Sequence, residues 1–229
     1  MAFFAGLLVL QSCKKDNYKE PQSVLSGHVV YKGEALQLER NQVPMLIYQY
    51  GFGKVGPISI NNSFASFEQD GSYSEVLFDG DYKIVIANGQ GPFMWKQTAV
   101  GNPDTVNVSL HGNMTQDLEV TPYYLIRNTQ IAGGSGVVSA TFSAEKIIKD
   151  ANAKNIERVS LYVNSHQFVS GGDYVAKKDS AGAAVVDGVN ITLKVPVSVS
   201  GQSYVYARVG LKIAGVEDLI YSPLQKINY

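Results

Sequence analysis

Cysteine and histidine are scarce in this 229-residue sequence, which contains one cysteine, three histidines and one tryptophan. A single cysteine cannot form an intramolecular disulfide or a zinc site built from several thiolates, and so few histidines do not favour a metal centre. Charged residues are also scarce, at 17%, and their signs nearly cancel to a formal net charge of -1. Because nucleic-acid binding needs a basic surface, we expect no nucleic-acid partner.

The sequence also lacks a hydrophobic run long enough to cross a membrane. Ala2 to Leu10 read AFFAGLLVL, which is shorter than the roughly 20 residues of a spanning helix. A short apolar segment of this kind is typical of a secretory signal. Leu10-Gln11-Ser12-Cys13 resembles the lipobox of bacterial lipoproteins, in which the cysteine is lipidated and becomes the first mature residue.

The alternative for Cys13 is a buried apolar side chain, but its sequence context does not favour that. Lys14 to Pro21 read KKDNYKEP, a polar tether without hydrophobic periodicity. We therefore predict a signal peptide over 1–12 and a tether over 13–23 that is lipidated at Cys13. This predicts a protein anchored by lipid in the outer membrane and exposed at the cell surface.

The remaining sequence is typical of β-structure. It has 22 glycines and 14 tyrosines, and apolar residues alternate with period two between frequent turn signals. We predict an all-β chain of two tandem β-sandwiches, over 24–121 and 122–229, with Thr121-Pro122 at the boundary because proline cannot donate to a central ladder. The one helix predicted in the mature chain covers Ala144 to Ile156, where apolar residues recur at spacings of three and four.

The predicted strands are these: Ser23–Tyr31, Val43–Tyr50, Ser63–Phe67, Tyr73–Phe78, Asp81–Ala87, Thr105–Leu110, Thr115–Val120, Tyr123–Ile131, Gly136–Ser143, Val159–Val163, Ile191–Val197, Tyr204–Ile213 and Leu219–Ile227. Asp70-Gly71 is predicted to be a hairpin turn between the third and fourth strands, and Asp79-Gly80 is predicted to join the fourth and fifth strands and continue the meander.

Two local motifs resemble known domains. Phe67 to Tyr73 (FEQDGSY) followed by Leu77 to Val85 (LFDGDYKIV) resembles the carboxypeptidase-regulatory or transthyretin-like sandwich. Leu193-x-x-Pro196 followed by Tyr204-x-Tyr206-x-Arg208 is similar to the fifth strand and tyrosine corner of a fibronectin type III-like domain. Both motifs imply a fold rather than a chemistry.

The whole chain resembles one Bacteroidetes surface lipoprotein family, the domain of unknown function 3823, which pairs these two domains. The resemblance covers the lipobox, Asp16-Asn17-Tyr18 and Val120-Thr121-Pro122-Tyr123. It implies a surface role beside SusC/SusD-type glycan importers, and it supplies no catalytic residues.

Catalytic motifs are not evident. His28, His111 and His166 lie in three separate segments outside any G-x-S-x-G or H-E-x-x-H pattern. Asp70, Asp79 and Asp81 flank hairpin glycines, where aspartate is favoured by turn geometry, so they do not indicate a glycosidase pair or a calcium loop. We therefore predict a non-enzymatic protein with no cofactor, no metal and no catalytic residue.

The loop from Asn88 to Trp95 (NGQGPFMW) is the most informative polar and aromatic segment. If it is exposed, Phe93 and Trp95 could stack on sugar rings while Asn88 and Gln90 bind hydroxyl groups. In the alternative, which the high average burial of tryptophan favours, Phe93 and Trp95 fold back to close the sandwich or pack between the domains. The sequence thus predicts a glycan-binding or scaffolding accessory protein, with polysaccharide and a SusC/SusD-type importer as partners. A fimbrial or adhesion subunit is the alternative function.

Overall fold

The computed structural model describes residues 19–50, 58–60 and 66–228. The predicted signal peptide and lipidation site Cys13 lie outside the described residues, as does most of the predicted strand Ser63–Phe67. Across the described part of the chain, no helix is long and apolar enough to cross a membrane.

The N-terminal half consists of short strands in two main sheets and one two-stranded sheet. The strands of this half are β1 (Ser23–Tyr31), β2 (Glu34–Ala35), β3 (Leu46–Gln49), β4 (Ile58–Ile60), β5 (Ser72–Leu77), β6 (Gly80–Val85), β7 (Phe93–Met94), β8 (Val106–Leu110), β9 (Met114–Thr115), β10 (Leu118–Glu119) and β11 (Thr121–Pro122). Strand β1 lies at the centre of one main sheet, where it pairs antiparallel with β2 and β5 and parallel with β9 and β10. The other main sheet has the order β4-β3-β6-β8, and β7 pairs with β11.

The C-terminal half is a second sandwich with longer strands. The strands are β12 (Tyr124–Gly134), β13 (Val137–Lys146), β14 (Ile156–Asn164), β15 (Ala176–Ala181), β16 (Ile191–Pro196), β17 (Tyr204–Ile213), β18 (Leu219–Tyr221) and β19 (Gln225–Asn228), with a 3₁₀ turn over Gly182–Ala184. One sheet has the order β12-β13-β16, and the other has β15-β14-β17-β18 with β19 also paired to β17. The prediction of an all-β chain built from two sandwiches is confirmed.

Alternation along the strands explains how each sandwich closes. In β13, Val138, Ala140 and Phe142 are buried while the residues between them, Ser139 and Thr141, are half-buried, since successive side chains point to opposite faces of a sheet. Most buried apolar side chains of both halves belong to one apolar cluster. The two sandwiches therefore share a core at their junction.

Backbone and side-chain hydrogen bonds also join the two sandwiches. The Tyr221 N–H donates to the Gln37 carbonyl at 3.0 Å. The Gln69 amide bonds the other half twice, because its Nε2 donates to the Gln167 carbonyl at 2.9 Å and its Oε1 accepts from the Val169 N–H at 3.3 Å. These bonds attach the loop between β14 and β15 to the N-terminal sandwich.

Two sequence-based expectations were wrong. The segment Ala144 to Ile156 is not helical, because β13 extends to Lys146 and β14 starts at Ile156, with turns between them. The backbone of this segment bonds elsewhere: Lys146 pairs with Tyr124, and the Ile147 N–H donates to the Tyr123 carbonyl at 3.0 Å. The Asp79-Gly80 turn does not form a meander, since β5 pairs with β1 whereas β6 pairs with β3 and β8.

Candidate functional site

The two aromatic residues of the Asn88–Trp95 loop are buried. Trp95 is 3% exposed and Phe93 is 2% exposed. The indole Nε1–H of Trp95 donates to the Asp104 carbonyl at 2.6 Å, and the strand that contains Phe93 pairs with Thr121–Pro122. An exposed stacking platform requires an accessible ring face, so these two rings do not form one, and they occupy the folded-back position of the alternative interpretation.

The polar residues of the same loop form hydrogen bonds with neighbouring segments of the chain. The Asn88 Nδ2 donates to the Gly101 carbonyl at 3.0 Å, and its Oδ1 accepts from Gln97 Nε2 at 3.1 Å. Gln90 is half-buried, and its backbone N–H donates to the Ala87 carbonyl at 3.2 Å. Asn88 and Gln90 thus have no exposed aromatic side chain of this loop beside them, so the loop does not combine the groups expected of a sugar platform.

A pocket of about 320 Å³ lies between the two sandwiches. Its N-terminal wall comes from the segment after β2 and from the turn before β5, and its C-terminal wall comes from the β14–β15 loop and from β17. The lining residues are Glu39, Arg40, Asn41, Gln69, Phe168, Ser170, Asp173 and Arg208. The pocket thus combines carboxylates, amides, a hydroxyl, two guanidinium groups and one aromatic ring.

Arg208 is the most unusual residue of this pocket, because it is charged and only 1% exposed. Its Nε–H donates to the Val169 carbonyl, and its Nη1 donates to the Leu38 carbonyl of the other sandwich at 2.8 Å. The guanidinium carbon lies 3.7 Å from the centre of the Tyr221 ring. Within the described residues, Nη2 is buried and has no hydrogen-bond partner.

Burial lowers the pKa of Arg208 to about 10, so the guanidinium remains protonated at neutral pH. The negative charge of Glu39 favours the protonated form of Arg208. Glu39 Oε2 is itself hydrogen-bonded to a different group, because it accepts from the Tyr221 hydroxyl at 2.8 Å. The same hydroxyl accepts from the Gly171 N–H at 3.0 Å, and burial raises the pKa of Tyr221. A hydrogen-bonded chain therefore runs from the β14–β15 loop through Tyr221 to Glu39.

The rim of the pocket is more accessible. Phe168 is 41% exposed, and the Arg40 guanidinium lies 5.0 Å from the centre of its ring. Arg40 also forms an ion pair with Glu68 at 2.9 Å. Asp173 accepts from Asn164 Nδ2 at 2.7 Å and lies 3.7 Å from His166 Nε2. The rim thus presents one apolar ring among paired charges.

A second pocket of about 540 Å³ shares Arg40 and Asn41 with the first and extends over the N-terminal sandwich. Its lining is rich in hydroxyl groups, with the carboxylate of Glu75 among them, and burial raises the pKa of Glu75. The hydroxyl-bearing residues are Ser26, Ser66, Ser72, Tyr73, Ser74 and Thr115. The two pockets adjoin at Arg40 and Asn41, and we refer to them together as the groove.

Two histidines lie near carboxylates, since His28 is 3.9 Å from Asp117 and His166 is 3.7 Å from Asp173. In the part of the chain that the structure describes, no hydroxyl group is hydrogen-bonded to either imidazole in the way that the serine of a catalytic triad is. Among the described residues, no group of three or more histidine, cysteine, aspartate and glutamate side chains could hold a metal ion.

Sequence reasoning missed the main residues of this site. Arg208 was noticed only as part of a fold motif, and Glu39 and Phe168 were not singled out. One signal was present: on β17, Tyr206 and Arg208 alternate with the core residues Val205, Ala207 and Val209. A pattern of Tyr204, Tyr206 and Arg208 on the face of β17 opposite the core could have indicated that other parts of the protein pack against this face as well.

Two family models together match most of the chain. A family model described as "Protein of unknown function (DUF3823) N-terminal domain" matches residues 23–121, and "Domain of unknown function (DUF3823_C)" matches residues 124–226. A search of curated proteins finds no match.

Three solved structures are similar over nearly their full length. A DUF3823 family protein from Parabacteroides merdae ATCC 43184 is 32% identical, with a TM-score of 0.77 and coverage of 92% of this chain and 100% of that one. A DUF3823 family protein from Bacteroides ovatus ATCC 8483 is 28% identical, with a TM-score of 0.76 and coverage of 90% and 99%. A candidate carbohydrate binding protein from Bacteroides uniformis ATCC 8492 is 18% identical, with a TM-score of 0.70 and coverage of 91% and 100%, a likeness of fold alone.

Proposed function

The chain belongs to the DUF3823 family, a family of unknown function, and from its own geometry we propose that it is a non-enzymatic carbohydrate-binding protein of the cell surface. The binding site is the groove that begins in the pocket between the two sandwiches. The observation that carries this proposal is the half-exposed ring of Phe168 at the rim of a pocket lined by carboxylate, amide and hydroxyl groups.

These groups suit a saccharide for separate physical reasons. The C–H face of a sugar ring packs against an aromatic side chain. Carboxylates such as Glu39 and Asp173 accept hydrogen bonds from hydroxyl groups, and the amides of Asn41 and Gln69 can donate or accept. The volumes of about 320 and 540 Å³ fall within the usual range of small-molecule sites, roughly 300–1,000 Å³. The candidate carbohydrate binding protein from Bacteroides uniformis shares the fold, which is consistent with this proposal.

The proposal includes the surface location and the partner. Cys13 follows a short apolar segment and precedes a polar tether, a pattern that supports lipid anchoring in the outer membrane. A protein held there with a saccharide groove would supply glycan to a SusC/SusD-type importer. Gel filtration of the soluble chain with purified importer components would test this partner, and elution as separate species would contradict it.

Affinity electrophoresis on a panel of polysaccharides tests the binding site. Wild-type protein should be retarded by at least one polysaccharide, and Phe168→Ala should lose most of that retardation. Phe78→Ala is a matched control, because Phe78 is the same residue type with a similar exposure of 39% and does not line either pocket of the groove. Equal losses in both variants, or no retardation by any polysaccharide, would contradict the proposal.

A further inference from the structure

We infer that the saccharide bound in the pocket between the sandwiches carries a carboxylate, as a hexuronic acid does, and that Arg208 recognises it. The inference rests on the proposed function and assigns a class of ligand to the same site. Three features of the pocket support it. Nη2 of Arg208 has no hydrogen-bond partner among the described residues, and the other charged groups of the pocket are already paired or hydrogen-bonded. The third feature is the contact between Phe168 and Arg40 at the rim.

Arg208 is a buried cation without a counter-ion in contact. No carboxylate oxygen of the described residues lies within 4.0 Å of its guanidinium nitrogens. Two of its nitrogens donate to the carbonyls of Val169 and Leu38, while Nη2 has no acceptor in the described part of the chain. Buried charges are normally paired, and an unsatisfied buried donor costs free energy. A ligand that brings an anionic acceptor to Nη2 would remove both penalties.

The remaining charges of the pocket are already paired or hydrogen-bonded. Arg40 forms its ion pair with Glu68, Glu39 accepts from Tyr221, and Asp173 accepts from Asn164. Arg208 is thus the cation of the pocket that a ligand carboxylate could neutralise. Glu39 and Asp173 keep further lone pairs, which suit the hydroxyl donors of a sugar but not a second anion.

The rim explains how a ligand reaches a guanidinium that is 1% exposed. Phe168 and Arg40 stand at the entrance, and the interaction between them is a cation–π contact at 5.0 Å. Such contacts are weak at exposed sites, and the proposal requires these two side chains to rotate when the ligand binds. Phe168 can then lie against the sugar ring while the carboxylate reaches Nη2.

A hexuronic acid residue carries all the complementary groups at once. Its carboxylate pairs with Arg208, its hydroxyls donate to Glu39 and Asp173, and one ring face packs on Phe168. A neutral hexose would bring no anionic acceptor to Nη2 of Arg208. Charge-assisted hydrogen bonds are stronger than neutral ones, so replacing the carboxylate with a neutral group should weaken binding by roughly ten- to a hundredfold.

Polygalacturonate and its fully methyl-esterified form test this directly, because they share one sugar backbone and differ in charge. Affinity electrophoresis at constant ionic strength should show strong retardation by polygalacturonate and weak retardation by the ester. Arg208→Gln and Phe168→Ala should abolish the difference, and Phe78→Ala should keep it. The protein has a net charge of -1, so general attraction to a polyanion would not produce this pattern.

Three results would overturn the inference, and they separate it from the proposed function. Equal retardation by the acid and the ester, or by dextran sulfate and polygalacturonate, would show that the site does not select a carboxylate. Binding of neutral polysaccharides alone would remove the ligand class and leave carbohydrate binding intact. Binding of no polysaccharide at all would remove both. The ester comparison needs no variant, so it remains decisive if Arg208→Gln does not fold.

Discussion

Replacing Trp95 tests whether this residue is structural, as its burial indicates, or part of a sugar platform. Its side chain is 3% exposed and bonds the Asp104 carbonyl at 2.6 Å. Truncating a buried tryptophan to alanine costs about 3–5 kcal/mol, from lost apolar burial and the cavity left behind. Trp95→Phe keeps most of the apolar contact and removes the indole donor, so about 1–3 kcal/mol is expected. Whole-domain stability is only about 5–15 kcal/mol.

Equilibrium urea unfolding followed by far-UV circular dichroism measures these changes. The midpoint should fall in the order wild type, Trp95→Phe, Trp95→Ala, with similar slopes. Val100→Ala is the control, because Val100 is 81% exposed and substitutions at such surface sites change stability by about 0.5 kcal/mol or less.

The sole tryptophan of the chain also makes the native state directly observable. Acrylamide should quench the fluorescence of Trp95 weakly in the folded protein and strongly after unfolding. Equal quenching in both states, or a Trp95→Ala midpoint equal to that of the wild type, would refute the assignment of Trp95 to the core. A large change in Trp95 emission on addition of a polysaccharide that retards the protein would indicate instead that Trp95 belongs to the binding site.

Two further predictions concern packing and pH. Gly27 lies in β1, where an added Cβ would be 2.1 Å from the Gln116 carbonyl oxygen; Gly27→Ala should therefore destabilise the N-terminal sandwich by about 1–3 kcal/mol, and an unchanged melting temperature would contradict this. Burial raises the pKa of Asp218 above its ordinary value of 3.8, although its carboxylate accepts from the Gly91 N–H at 2.8 Å. The Asp218 carboxyl group therefore binds a proton more readily in the folded protein than in the unfolded chain. Its protonation contributes fully to the free energy of unfolding below pH 3.8, and this contribution is lost as pH rises through the pKa of the folded state. Asp218→Asn should therefore remove part of the fall in melting temperature above that pH, and parallel wild-type and variant curves would contradict the assignment.

Strands were predictable where the signal is local. β1 and β17 occupy the predicted ranges, Ser23–Tyr31 and Tyr204–Ile213, because alternation and turn residues mark both ends. A turn motif did not predict which sheet the next strand joins. The Asp79-Gly80 turn connects β5 and β6, and these two strands belong to different sheets. The helix expected over Ala144–Ile156 was predicted from three apolar residues only. The start of this segment instead forms strand pairs, in which Lys146 lies opposite Tyr124. β15 was missed because Ala176 to Ala181 has no buried side chain.

The candidate site was less predictable than the fold for a physical reason. Arg208 and Leu38 are separated by 170 positions, and Tyr221 and Glu39 by 182. No periodicity or motif reports contacts over that distance. The aromatic loop at Trp95 attracted attention because its composition is local, but composition does not reveal whether a ring folds inward.

The pocket depends on both sandwiches, and the hydrogen bonds of Arg208 show why. Its guanidinium is supported on one side by the Val169 carbonyl and on the other by the Leu38 carbonyl of the N-terminal sandwich. The loop that carries Val169 and Phe168 is itself held by the side chain of Gln69. Separating the halves would therefore leave a buried charge without one of its acceptors and its covering loop without an anchor, both of which are costly. The same contacts that hold the two sandwiches together thus position the groups proposed to bind the ligand, so neither sandwich alone can form the site.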